Sequence, residues 1–155
     1  KTYGIQETFN ENSKALELLA KLHDEMNLFV AELHKNYPTD ERVMRLVKGI
    51  EKMKIEEAPN DDGSSYTINK GELMALCLRH KKGDHPFHDY NTLQFVMIHE
   101  LAHIASVSEG HNQEFINNFR FLLRQANTLG YYEPVNYSHA PIYYCGIKVT
   151  NNPFY

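Results

Sequence analysis

The 155 residues predict a single α+β domain, with helices carrying most of the chain around a small antiparallel sheet. Three observations support that class. Two stretches before residue 60 repeat apolar residues at helical spacing. Short strand-like stretches follow between residues 66 and 79, and two further helical stretches lie between 91 and 129. The implied division is a helical part over 1–60, a sheet with two helices over 61–130, and a tail over 131–155 that wraps the surface.

After an irregular entry over 1–12, Ala15, Leu18, Leu19, Leu22, Met26, Phe29, Val30 and Leu33 mark the buried face of a first helix from about Ser13 to Lys35. Pro38 interrupts it. Thr39 is a plausible N-cap for a second helix, whose stripe is Val43, Leu46, Val47, Ile50 and Met53. Pro59 to Ser65 reads as a loop from its Asn, Asp, Gly and Ser content. Tyr66 to Asn69 and Glu72 to Arg79 read as the arms of a hairpin, turning at Asn69-Lys70-Gly71. Leu73, Ala75 and Cys77 share one face of the second arm. Leu73 to Leu78 is the candidate edge strand to which an extended substrate would add by main-chain hydrogen bonds.

A loop carrying His80, His85 and His88 comes next. Pro86 breaks any helix there, and the spacing matches no rigid ligand template, so a solvated rim is expected. Asn91, with Gln94 three residues on, is the expected cap of a helix that is apolar nearly all round from Leu93 to Val107. His111 opens the last helix, striped by Phe115, Phe119, Leu122, Leu123 and Ala126 and stopped at Gly130. Arg120 and Arg124 are expected to face solvent or acidic neighbours. The tail is rich in Tyr, Pro and Asn, and is placed as extended chain able to pass one wall of a cleft.

Sixteen basic residues against twenty acidic give a formal charge of −4, which lacks the basic field of an autonomous nucleic-acid binder. No apolar run approaches the roughly 18 residues of a membrane span. The chain opens on Lys1 rather than Met, which leaves room for a leader or anchor ahead of it. Two cysteines, Cys77 and Cys145, do not make a disulfide-dense scaffold. They are read as reduced, buried thiols, one bridge being the alternative, and leave the compartment open, a cytoplasmic or nuclear setting being favoured.

The chemistry lies in His99-Glu-Leu-Ala-His103. On a helix, the two histidines leave one face a turn apart and can grip one Zn²⁺, with Glu100 beside the water that would be activated. Two histidines and a carboxylate on so apolar a helix need something to satisfy them, and a metal facing a cleft does so. A metzincin would place Gly at 106 and His at 109, where Ser106 and Glu109 stand. A thermolysin-like ligand about twenty residues on is absent too, because no acidic residue lies between Glu114 and Glu133. His111, after the flexible Gly110, is the chosen third ligand, with Glu114 as the alternative. Glu100 is the general base, and Tyr143 or Tyr144 a possible oxyanion donor.

His-Glu-Leu-Ala-His followed by Gly-His-Asn-Gln-Glu-Phe resembles the WLM family, relatives of the SprT-like zinc metalloproteases. The resemblance runs from Ile68-Asn-Lys-Gly-Glu72 and the Leu-Cys-Leu-Arg stretch, through Asn117-Asn-Phe-Arg-Phe-Leu-Leu, to Tyr144-Cys-Gly146 and Asn152-Pro153. It covers about residues 66 to 153 and is strongest toward WLM-type proteins of large DNA viruses. It implies a zincin-like fold, zinc held by His99, His103 and His111, Glu100 as catalytic glutamate, and a protein or peptide substrate. Cellular members degrade proteins crosslinked to DNA. That role stands here as an alternative, since the charge balance does not favour DNA. A catalytically inactive, zinc-stabilised binding scaffold is a second alternative, against which an intact Glu100 argues.

Overall fold

The computed structural model describes residues 2–6, 10–59 and 64–155, so parts of the expected entry and of the Pro59 to Ser65 loop lie outside the described residues. Helix α1 (Asn12–Asn36) buries Ala15, Leu19, Leu22, Met26, Phe29, Val30 and Leu33, the face its periodicity predicts. Helix α2 (Glu41–Ile50) is capped by Asp40 rather than Thr39. The Asp40 carboxylate accepts from the amides of Arg42 at 2.9 Å and Val43 at 3.3 Å, and its charge suits a helix N-terminus better than a hydroxyl. Met53 lies beyond α2 and leads into strand β1 (Lys54–Glu57). The sequence KIEE is too short and too charged to announce a strand by alternation.

Strands β2 (Tyr66–Ile68) and β3 (Leu73–Leu76) form the expected antiparallel hairpin. Its turn takes Asn69, Lys70 and Gly71 all to positive φ. At Gly71, φ +127, a Cβ would collide with the carbonyl of Gly49, so only glycine lets this turn press against α2. Strand β1 pairs parallel with β3, giving a mixed sheet of order β1-β3-β2 instead of a purely antiparallel one. Strand β3 is therefore central, which corrects the expected edge. Leu73 faces Lys54 and Ile68 on its two sides, Ala75 faces Glu56 and Tyr66, and the Cys77 amide donates to Ser65 Oγ at 2.9 Å. Among the described residues the outer side of β2 has no strand partner, while β1 meets Gly4 through a bridge at Glu56.

Helix α3 (Tyr90–Ala105) is capped by Asp89, not Asn91. Asp89 accepts from the Thr92 amide at 3.0 Å and the Thr92 hydroxyl at 2.7 Å, while Asn91 grips the backbone of Glu133 in the tail. The helix is buried on almost every side, as its composition predicts. Helix α4 (Gln113–Thr128) is capped by Asn112, so His111 stands just ahead of it. It stops in a Schellman turn at Gly130, where the Tyr131 amide reaches back to Ala126 O at 2.8 Å.

The tail contains a hairpin, β4 (Ile142–Tyr144) with β5 (Ile147–Val149), turning through Cys145 and Gly146 at positive φ. Arg124 is exposed, as expected, but among the described residues neither Arg120 nor Arg124 meets an acidic partner: their guanidinium groups donate to Pro153 O and Phe154 O and strap the last residues onto α4. Cys77 and Cys145 are not free thiols. They form a disulfide, their Cα atoms 6.4 Å apart, because the hairpin returns to the end of the sheet. It closes a loop of 68 residues, for which chain entropy gives about 4 kcal/mol. No helix among the described residues is long and apolar enough to cross a membrane.

One buried ion pair ties the N-terminal region to the sheet. Arg79 and Glu57, each 2% exposed at the side chain, meet through Nε–Oε2 at 2.7 Å and Nη2–Oε1 at 3.2 Å. Arg79 also donates to Asn10 O, and Glu57 accepts from the Gln6 amide at 2.7 Å. Replacing Arg79 by Met leaves a carboxylate buried without its cation, and the expected loss of stability is ~3–5 kcal/mol. Urea denaturation of wild type and Arg79→Met measures it, and a loss below 1 kcal/mol would show the pair to be dispensable.

Candidate metal centre and active site

His99 and His103 leave one face of α3 with ring centroids 5.0 Å apart, as their four-residue spacing predicts. The loop after α3 brings His111 back, its ring 4.9 Å from each of the others. His103 Nε2 and His111 Nε2 face each other at 3.1 Å, and one ligand atom from each of the three histidines falls within a 4.8 Å cluster. Phe115 packs against all three rings at 5.0, 4.3 and 4.8 Å, and Phe119 lies 5.2 Å from His99. A residue four places after His111 thus orients every ring of the cluster.

Burial, reinforced by the neighbouring imidazoles, pushes His99 down to about 3 and His103 down to about 4. Both are neutral at ordinary pH, the form that ligates a metal. Glu100, 3% exposed, opens onto the same cavity. Its Oε2 lies 3.9 Å from His99 Nε2, and its Oε1 accepts the Thr67 hydroxyl at 2.8 Å. Burial pushes the Glu100 carboxyl up to about 7, against the opposing effect of the Thr67 hydrogen bond.

The end of α3 is held from several directions. Lys70 Nζ donates to His103 O and Ser108 O, both at 2.8 Å, spanning the loop that leads to His111. Arg45 Nε donates to Ala105 O at 2.7 Å from α2. Two cations on the last carbonyls satisfy groups a helix leaves open and suit its negative end. Ser106 Oγ donates to Ala102 O at 2.7 Å and accepts from Asn118 Nδ2 of α4 at 2.9 Å. Glu114, the alternative third ligand, instead closes the loop. It accepts from the amides of Val107 at 2.8 Å and Ser108 at 3.0 Å, and from the Ser108 hydroxyl. These bonds hold its carboxyl down to about 2.

The cavity in front of the cluster measures about 550 Å³. Ser65, Thr67 and Lys70 line it from β2 and its turn, and Phe95, Val96, His99, Glu100 and His103 from α3. Tyr144, Ile147 and Val149 line it from the hairpin, which agrees with a tail passing one wall of the cleft. Tyr143 is 67% exposed and off the cavity. The Tyr144 hydroxyl is already engaged, donating to Cys77 O at 2.6 Å and meeting Ser65 Oγ at 2.5 Å. Neither tyrosine therefore offers a free oxyanion donor. Leu73, Ala75 and Cys77 do not reach the cavity, nor do His80, His85 and His88 form its rim. His88 is 6% exposed and buried against Tyr144 and Cys145. Thr67, Lys70 and Arg45 were missed from sequence, because no local spacing links them to α3.

The donor set fits zinc. Three imidazoles converge from one side, and a 3.1 Å gap between two Nε2 atoms approaches the roughly 3.3 Å edge of a tetrahedron with 2.0–2.1 Å Zn–N bonds. The other side of the cluster is cavity, as a catalytic site with an open position requires.

Four helices, a small mixed sheet and this arrangement of histidines define an α+β, zincin-like domain. The WLM domain matches residues 59–140, and the chain belongs to the WLM family. It is 37% identical over 94 residues to uncharacterized protein R325 of Acanthamoeba polyphaga mimivirus, covering 61% of this chain and 47% of that one. Over 131 residues it is 30% identical to uncharacterized protein 136R of Invertebrate iridescent virus 6, covering 82% and 71%. The chain thus spans about half of the first relative and most of the second. Its fold is similar to Wss1 from Saccharomyces cerevisiae, with TM-score 0.58 and 22% identity over 83% of this chain and 91% of that one. The WLM resemblance read from residues 66 to 153, and its leaning toward large DNA viruses, are borne out.

The two depressed histidines make the metal-free fold sensitive to acid. Their folded pKa values of about 3 and 4 lie below the unfolded value near 6.5, so between those limits the unfolded chain binds more protons. The histidines' share of stability is full above about pH 6.5 and falls as the pH drops toward 4, while Glu100, pushed up to about 7, contributes in the opposite sense as it protonates. Thermal denaturation of chelator-treated Glu100→Gln protein, which lacks that opposing carboxyl, at pH 7.5, 6 and 4.5 should give a steadily falling Tm. A flat Tm across that window would mean the rings are protonated in the folded chain.

Proposed function

We propose that the chain is a zinc-dependent peptidase in which His99, His103 and His111 hold the metal and Glu100 is the general base. One observation carries the reading: a buried carboxylate, kept in place by Thr67, faces the same cavity as the three-histidine cluster. Zinc, when bound, supplies a Lewis acid that lowers the pKa of water toward about 7 and polarises a carbonyl. Glu100 takes the proton at its Oε2, the oxygen that Thr67 leaves free, and returns it to the departing amine. Thr67 fixes the carboxylate rotamer, and Phe115 fixes the imidazoles, so neither must reorganise during the reaction.

The substrate is a protein or peptide in extended form. Strand β2 has β3 on one side only and lines the cavity with Tyr66 and Thr67, so its open edge suits main-chain pairing by such a segment. Phe95, Val96, Ile147 and Val149 offer an apolar wall for a side chain. An inactive zinc-stabilised scaffold has no need of a buried, positioned Glu100, which favours the peptidase.

Two substitutions test the reading. Glu100→Gln keeps the shape of the cavity, so zinc content should be unchanged while cleavage of an unfolded protein substrate falls by ~10²–10⁴-fold or more. Retained cleavage would eliminate Glu100 as the base. His111→Ala should cost most of the bound zinc in a metal assay after dialysis. Full zinc content would remove His111 from the ligand set.

A further inference from the structure

A second convergence of donors lies outside the active-site cavity. His88 enters from the loop after β3, Cys77 from the end of that strand, and Cys145 from the turn between β4 and β5. All three are buried, at 6%, 3% and 3% exposure, and one ligand atom from each falls within 4.8 Å of the others. His88 Nε2 points at Cys145 Sγ from 3.3 Å. The carbonyl oxygen of Arg79 lies 3.4 and 3.5 Å from the two sulfurs, an acceptor that thiols can use and a disulfide cannot. The His80 ring stacks on His88 with centroids 3.8 Å apart. The pocket accommodates a disulfide, and its donors are those that a borderline-soft metal selects.

We infer that Cys77, Cys145 and His88 form a redox-gated site for a Zn²⁺-class cation, open when the disulfide is reduced and closed when it forms. A dithiol cleaves the S–S bond by two successive thiol–disulfide exchanges. Its own sulfurs leave joined as a disulfide, and its two electrons and two protons remain on Cys77 and Cys145. Binding of the cation releases both thiol protons to water, and the two thiolates balance the double positive charge. Burial keeps the His88 imidazole unprotonated and ready to ligate, pushing it down to about 4. The fourth position falls to His80 or to water. Either closure fastens the β4–β5 hairpin, with Tyr144, to the end of the sheet, so the wall of the cavity survives a change of redox state.

Cobalt is the probe, because thiolate-to-Co²⁺ charge transfer arises only where cysteine ligates and the three-histidine cluster contains none. The full chain is reduced anaerobically with a trialkylphosphine, which takes oxygen from water as it is oxidised and leaves no competing thiol. It is then titrated with Co²⁺ beside the oxidised protein. The expected result is an intense near-ultraviolet band in the reduced sample alone, saturating within two equivalents as both donor groups fill and lost on addition of Zn²⁺. His88→Gln should weaken that band's Co²⁺ affinity by at least ~10-fold, the loss found even for outer partners of ligands. No band in the reduced wild type would overturn the proposal. So would unchanged affinity in His88→Gln, which would leave two cysteines binding alone. Both readouts are independent of peptidase activity and of whether the three-histidine cluster is filled.

Discussion

The convergence of the three histidines depends on how the last turn of α3 is held. A buried helix ends there with open carbonyls in apolar surroundings, and each unsatisfied one would cost ~1–3 kcal/mol. Lys70, Arg45 and Ser106 satisfy His103, Ala105 and Ala102 from the sheet turn, from α2 and from the loop itself. Because Lys70 also takes Ser108, the same contact sets how far the chain travels before His111. Glu114 and Asn112 then hold the loop from the next helix. Three histidines converge because backbone groups around them had to be satisfied, and this side-chain geometry follows from that backbone constraint.

Local signals in the sequence were legible and long-range ones were not. The periodicity of Ala15 to Leu33 and the all-round burial of α3 read correctly, as did the pairing of His99 with His103 at helical spacing. His111 was reachable by eliminating other spacings, and Gly130 by its role as a helix stop. The errors share a cause. Strand β1 lacks alternation, and without it β3 looked like an edge; with it, the edge passes to β2. Asp40 and Asp89 outcompeted Thr39 and Asn91 as caps because a carboxylate answers both amides and dipole, a choice that local pattern does not rank. Thr67 reaches Glu100 across 33 residues and Cys145 reaches Cys77 across 68, distances at which composition carries no register.

The tail has a larger part than its composition suggested. Its tyrosines and asparagines looked like wrapping, and much of it is: Asn152 holds Tyr132 and Val135, and two arginines of α4 hold the final carbonyls. Its hairpin also lines the cavity, through Tyr144, Ile147 and Val149. One wall of the cleft thus comes from a segment joined to the sheet through Cys77 and Cys145.

The burial of α3 on nearly every side has an evolutionary reading. Of its sixteen residues, twelve are buried, and His99 and His103 open onto the cavity, so few positions are free to drift without penalty. The outer edge of β2 and the exposed faces of α1 and α4 carry no such burden. Those surfaces can therefore change in sequence without shifting the helix that carries His99 and His103.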